Sequence, residues 1–374
     1  MPSTDPLIFV HLGDLHITKA SEPNYLDYLS IVAQLALECG PALDFVVLPG
    51  DNADNGKPYQ YKLVSTALKM LDVPVHLIPG DHDMESGNLD AFYTMPLAEP
   101  LPKSRVVKGV CCLFLDISGT GSGGPDFRLG LRQYDWLRQE LAQATAQSEP
   151  IVVFMHTYPA DFTDEQETTV VNQLFADHNV VLVDIGHTHY NELANDGHTI
   201  FAATRSTGQI EEGPVGYSVA TVQGETVSWR FKTLHDAFPF VLITTPTDYR
   251  LLRTDHQSYS TGVIRVEAVV LGSRSVDRVA CRINQYDWQI MTPTESGRGW
   301  QAEVEVPAGE VAMLTVEAVD SSGRPGQHII QLSPADQNTP VRHKNGSDAD
   351  SIGAWPQNGI VGTQLGPNRN GKPS

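Results

Sequence analysis

The stretch "HLIPGDHDM", residues 76–84, decides how the rest of the chain is read. An apolar run (Leu77, Ile78, Pro79) stops at Gly80, and two aspartates then flank one histidine: Asp81, His82, Asp83. A strand that ends on glycine and delivers acids and an imidazole fits a site built beyond the strand's carboxyl end, because glycine allows the sharp turn and close backbone approach required there. A plain polar turn uses the same residue types. Recurrence separates the two readings.

The pattern recurs four times. "HLGDLHI" (11–17) gives Asp14 and His16, "LPGDNADNG" (48–56) gives Asp51 and Asp54, "FMHTYP" (154–159) gives His156, and "IGHTHYN" (185–191) gives His187 and His189. Glycine precedes four of the five clusters, at Gly13, Gly50, Gly80 and Gly186. The runs feeding them, "LIFVHL" (7–12), "DFVVLP" (44–49), "VPVHLIP" (73–79), "PIVVFMH" (150–156) and "VVLVDIG" (180–186), have the continuous apolar character of strands buried on both faces, as does "VCCLFLDI" (110–117). Between them, residues 25–38, 59–71, 131–144 and 165–178 carry apolar side chains at three- and four-residue spacing. Alternating strands and helices predict a layered α/β fold, with the five clusters on one edge of one sheet.

Asp and His together suit borderline divalent ions. So many Asp and His residues exceed one tetrahedral site and match two ions sharing a carboxylate, held ~3.5–4 Å apart to clamp both oxygens of a displacement at phosphorus. An EF-hand reading of residues 51–62 fails, since Ala53 and Lys62 occupy ligand positions.

These motifs resemble the signature of the calcineurin-like metallophosphoesterases: D-x-H, G-D-x-x-D, G-N-H-D, H and G-H-x-H. Here they read Asp14-Leu15-His16, Gly50-Asp51-Asn52-Ala53-Asp54, Gly80-Asp81-His82-Asp83, His156 and Gly186-His187-Thr188-His189. "LRQYDWLRQEL" (131–141) also resembles the Q-x-x-W-L helix of the branch with class III cyclic-nucleotide and glycerophosphodiester phosphodiesterases. The resemblance spans residues 7 to about 233. It implies a four-layer α-β-β-α sandwich and two transition-metal or divalent ions (Mn, Fe, Zn or a mixed pair). Asp14, His16 and His189 would hold one ion, Asp81, His156 and His187 the other, and Asp51 both. His82 would face the substrate as catalyst, with Asp54 and Asp83 orienting the groups around it, and a metal-bound hydroxide would attack phosphorus in line. The tyrosine of purple acid phosphatases is replaced by Asp54, so no tyrosinate–iron chromophore is expected.

One departure stands out. The family has asparagine where this chain has Asp81. A third carboxylate makes the centre less positive, which favours a singly charged diester over a doubly charged monoester. The expected activity is therefore hydrolysis of a small soluble diester, such as a cyclic nucleotide or glycerophosphodiester. The alternatives are a phosphomonoesterase and, from another class, a metal-binding interaction scaffold. Arg205, in "TRSTG" (204–208), is a candidate for the substrate phosphate or sugar, against a structural salt bridge; Tyr158 and Phe162 are candidates for stacking on a base or ring.

Residues 1–237 are expected to form the catalytic domain and 238–334 an all-β sandwich of immunoglobulin or fibronectin type, from alternating segments separated by Gly, Ser, Asn or Asp. Residues 335–374 read by composition as a Gly/Pro/Asn-rich tail, yet "IGAWPQNGIVGTQLGPN" (352–368) holds enough apolar side chains to dock on its own domain or a neighbour. The sandwich or tail could also join two copies of the chain. A net charge of −20 with scattered basic residues argues against a nucleic-acid partner. Four cysteines without zinc spacing read as buried thiols, and no signal-like or membrane-length apolar run is present, so the cytoplasm is the expected location.

Overall fold

A computed structural model describes residues 5–118, 126–308, 311–334 and 350–362. In chain order the first part contains β1 (Leu7–His11), α1 (Pro23–Gln34), β2 (Phe45–Leu48), α2 (Pro58–Leu68), β3 (Val75–Leu77), β4 (Lys103–Val107), β5 (Val110–Phe114), α3 (Gly130–Ala146), β6 (Ile151–Phe154), α4 (Glu165–Asp177), β7 (Val180–Ile185), β8 (Glu192–Asn195), β9 (Ile200–Ala203), β10 (Gly216–Gln223) and β11 (Thr226–Thr233). Each strand and helix predicted from periodicity is present within a few residues. The expectation of one sheet is corrected: the strands divide into two, ordered β11-β10-β1-β2-β3 and β4-β5-β6-β7-β9-β8. The strands joined by helical crossovers run parallel, and the hairpin strands β4, β8, β10 and β11 pair antiparallel.

Side-chain alternation explains the stacking. Along β1, Ile8 and Val10 pack with Tyr28, Ile31 and Val64 of α1 and α2. Leu7 and Phe9 point the other way, into a core shared with Phe114, Val152 and Phe154 of the second sheet. Phe9 stacks on Phe45 at 5.2 Å and Phe114 on Phe154 at 4.7 Å, with Phe9 edge-on to Phe154. The second sheet's outer face meets Leu137, Leu141, Val171 and Phe175 of α3 and α4. The layers are thus helix, sheet, sheet, helix.

Two further sheets follow. One joins β12 (Phe240–Thr245), β13 (Gly262–Leu271), β17 (Trp300–Val306) and the short β16 (Thr292–Pro293); the other joins the short β15 (Gln289–Ile290), β14 (Val276–Ile283), β18 (Met313–Asp320) and β19 (Pro325–Gln331). Val241, Val266, Cys281, Leu314 and Val316 fill the space between them. All four cysteines are buried and unpaired. No described helix is long and apolar enough to cross a membrane.

Candidate metal centre

The loops after β1, β2 and β3 meet those after β6 and β7 at one end of the two-sheet stack. Asp14, His16, Asp51 and His189 offer ligand atoms that all lie within 4.8 Å of one another, and Asp51, Asp81, His156 and His187 do the same. The sets share Asp51. Sequence neighbours such as Asp14 and His16 come from the first sheet, whereas His156, His187 and His189 come from the second, so neither sheet alone completes a set.

The donors fit divalent ions. His16 Nε2 and His189 Nε2 are 3.0 Å apart, close enough for both to reach one ion. Asp14 Oδ2 and Asp51 Oδ2 are buried with no hydrogen-bond partner among the described residues, a costly arrangement unless a cation faces them. His156 Nδ1 lies 2.8 Å from the Pro49 carbonyl. A carbonyl can only accept, so Nδ1 carries the proton and Nε2 is the nitrogen that faces the carboxylates, 3.0 Å from Asp81 and 3.5 Å from Asp51. Burial pulls His16 and His189 down to about 4, which keeps both imidazoles neutral and able to ligate near pH 7. Burial and the neighbouring Asp81 act to raise Asp51, but His156 and His16 outweigh them and hold it at about 2. Burial likewise opposes ionisation of Asp81, and hydrogen bonds with His156 and His187 carry it below the usual carboxylate range.

The backbone is forced to present these groups. Asp14, His16, Asp51, His187 and His189 all have positive φ, from 25° to 66°, a region that non-glycine residues rarely enter. Close approach fixes two of the glycines: a Cβ on Gly50 would fall 2.0 Å from His156 Nδ1, and one on Gly80 would fall 2.2 Å from Asp51 Oδ1.

His82 is partly exposed beside the ligands, its ring 4.5 Å from that of His16. Its Nδ1 is 2.9 Å from the Asp54 carbonyl and so is protonated, leaving Nε2 as the other working nitrogen. Burial lowers its pKa, but Asp51, the Asp54 carbonyl and Asp81 together raise it to about 9. Asp54 also approaches His16, at 3.8 Å. A cleft of about 330 Å³, lined by His16, Asn24, Asp27, Asp54, Thr207 and Gln209, opens beside the first ligand set.

Four expectations are corrected. Asp83 does not support the His82 side chain: it is buried and accepts from the backbone of Gly80, Asn52 and Ala53 and from Tyr61 Oη, tying the β2 and β3 loops together. Arg205 does not reach a substrate surface. It is 3% exposed, donates to the Pro214 and Gly359 carbonyls, pairs with Glu212 at 3.5 Å and lies over Phe231. Tyr158 is 1% exposed, with its hydroxyl on Glu192, and Phe162 is buried in the core under α4. Aromatic character suggested stacking on a ligand, and packing used it instead. Other residues went unseen. Asn52 holds the Ile78 carbonyl at 2.9 Å and Asp83 at 3.0 Å, and Gln209 reaches His16 Nδ1 at 3.2 Å. Asn52 could have been suspected from its place after Asp51; Gln209 carries no local signal.

A probable glycerophosphodiester phosphodiesterase of Arcobacter nitrofigilis is 25% identical over 198 residues, covering 49% of this chain and 72% of that protein. A probable cyclic nucleotide phosphodiesterase of Fibrobacter succinogenes is 32% identical over 120 residues, 31% of this chain and 43% of that one. Among solved structures, a dimetal phosphatase of Danio rerio is similar over 62% of this chain and 98% of its own, at 14% identity and a TM-score of 0.47. Residues 7–191 match the family described as calcineurin-like phosphoesterase, a match that ends just past the last ligand histidine. Through that region the chain belongs to the calcineurin-like phosphoesterases, a family of metal-dependent phosphoric ester hydrolases.

Proposed function

We propose that the chain is a dinuclear-metal phosphodiesterase acting on a small soluble diester, of cyclic-nucleotide or glycerophosphodiester type. The observation that carries this reading is the donor set: three carboxylates and four histidines in two groups joined by Asp51, with Asp81 where the family has an amide. Two divalent ions carry a charge of +4; Asp14, Asp51 and Asp81 reduce it to +1 before any water ligand contributes, which suits a monoanion better than a dianion. The relatives named as phosphodiesterases support the same direction.

Bound in these sets, the ions would supply an acidified water and neutralise charge developing on the phosphoryl oxygens. The side chains do the rest. Asp14, Asp51 and Asp81 set the charge, and His16, His156, His187 and His189 complete the two sets. His82, fixed through Nδ1 on the Asp54 carbonyl, presents Nε2 to the substrate; from its protonated form it donates to the departing alkoxide. Asp54 orients His82 by its backbone. The cleft beside His16 has the volume for a small alcohol or nucleoside group. The C-terminal sheets, from about residue 238 to 334, are read as an immunoglobulin-like module without a catalytic cluster.

The experiment is hydrolysis of bis-p-nitrophenyl phosphate against p-nitrophenyl phosphate with added Mn²⁺. Higher kcat/KM on the diester is expected; activity on the monoester alone would overturn the reading.

A further inference from the structure

Residues 350–362 lie against the first part of the chain, far in sequence from the metal ligands, and their contacts lead to the first ligand set. Trp355 and Ile360 close a tight turn by exchanging backbone hydrogen bonds of 2.8 and 3.1 Å, and both side chains are buried with Leu193, Ile200 and Phe231. Arg250 lies over the Trp355 ring. The Ile352 amide donates to Leu193 O, and Asn358 Nδ2 to Trp229 O. The turn therefore has a defined seat on β8 and β11.

What that seat places is the Gly359 carbonyl. It accepts from Asn191 Nδ2 at 2.7 Å and Arg205 Nη2 at 2.8 Å. Asn191 Oδ1 in turn accepts from the Arg205 amide at 2.8 Å. Asn191 follows His189 by two residues. The residues after Arg205 bind the other side of the set: Ser206 donates through its amide to His189 O and through its hydroxyl to Asp14 O, and the amides of Thr207 and Gly208 also reach Asp14 O. Gln209 then meets His16. Three of the four ligands of the first set are thus held by a loop anchored on Gly359, whereas the hydrogen bonds of Asp81 and His156 run to each other and to the Pro49 carbonyl. Gly359 itself has φ 91°, and a Cβ there would sit 2.5 Å from Phe231 Cβ, so any other residue must move the carbonyl.

We propose that residues 350–362 form a positioning strap for the first metal set: Gly359, through Asn191 and Arg205, fixes Asp14, His16 and His189, and loosening the strap weakens ion binding there while sparing the second set. The strap acts through geometry and touches neither ion nor substrate. The inference stands on the dinuclear reading, and its test separates the two.

The measurement is Mn²⁺ bound per chain, by direct titration and by metal analysis after gel filtration, on full-length wild type, Gly359→Ala, Asn358→Ala and the exposed-strap control Val361→Ser. Wild type and Val361→Ser should bind two ions. Gly359→Ala should retain one after gel filtration and bind the second at least tenfold more weakly, with Asn358→Ala, which loses the bond to Trp229 and the contact with His328, showing the same selective loss to a smaller degree. Thermal melts under chelator establish that each variant is folded; if Gly359→Ala is not, Asn358→Ala decides. Two ions at wild-type affinity in a folded strap variant, or equal weakening of both sites, overturns the strap. Failure of wild type to bind two ions overturns the dinuclear reading instead.

Discussion

The metal centre and the C-terminal sheets solve the same backbone problem in opposite ways. Where β12 to β19 need a positive φ, the chain supplies Gly262, Gly272, Gly297 and Gly323, and among described non-glycine residues only Asn284. In the metal centre the residues with positive φ are Asp14, His16, Asp51, His187 and His189. Glycine would relieve the strain there and remove the ligand, so the fold tolerates ~1–3 kcal/mol at each position. Buried histidines differ too. His328, between the C-terminal sheets and the first part, accepts from the Ile243 amide at 3.0 Å and serves packing, whereas His16 and His189 have nitrogens aimed at each other across a shared position.

The largest test of that contrast is Asp51→Ala, which removes the carboxylate common to both sets. Activity should fall at least ~1,000-fold, and direct titration should show fewer than two Mn²⁺ per chain. Two retained ions with near-normal kcat would place the centre elsewhere. His82→Ala should lower kcat by about 10²–10⁴-fold while two ions stay bound, because His82 belongs to neither set; loss of an ion would make it a ligand.

His328 offers the matching experiment away from the centre. Burial pushes its pKa well below the usual 6.5, with the nearby Arg230 adding to the effect. The folded protein keeps it neutral while the unfolded chain protonates it, so its contribution is intact above pH 6.5 and falls as pH drops below that value. Urea melts of wild type and His328→Gln should diverge by about 1.4 kcal/mol per pH unit below pH 6.5, wild type losing more. Parallel pH profiles would show that His328 charges in the fold. The smallest effect belongs to Asp81→Asn. Restoring the amide should shift the diester-to-monoester ratio of kcat/KM a few-fold toward the monoester, and an unchanged ratio would sink the charge argument.

Much of this protein was legible in its sequence, for a local reason. Continuous apolar runs reveal strands buried on both faces, and three- and four-residue spacing reveals the covering helices, because burial patterns repeat over a few residues. Glycine before Asp14, Asp51, Asp81 and His187 marks turns whose tightness is a local demand. The chemical types of the ligands, and the substitution of Asp81 for an amide, are likewise properties of the chain itself. The tertiary structure decided what depends on distant partners. That the ligands come from two sheets follows from the packing of Phe9 on Phe154, and His16 meets His189 across 173 residues of sequence. Arg205, Tyr158 and Phe162 have the chemistry of substrate contacts, but their fates were set by Glu212, Glu192 and the core under α4. The seat of residues 350–362 depends on Asn191, Trp229 and Phe231, none of them near in sequence. Periodicity records which face a residue turns inward, and only folding determines what it meets there.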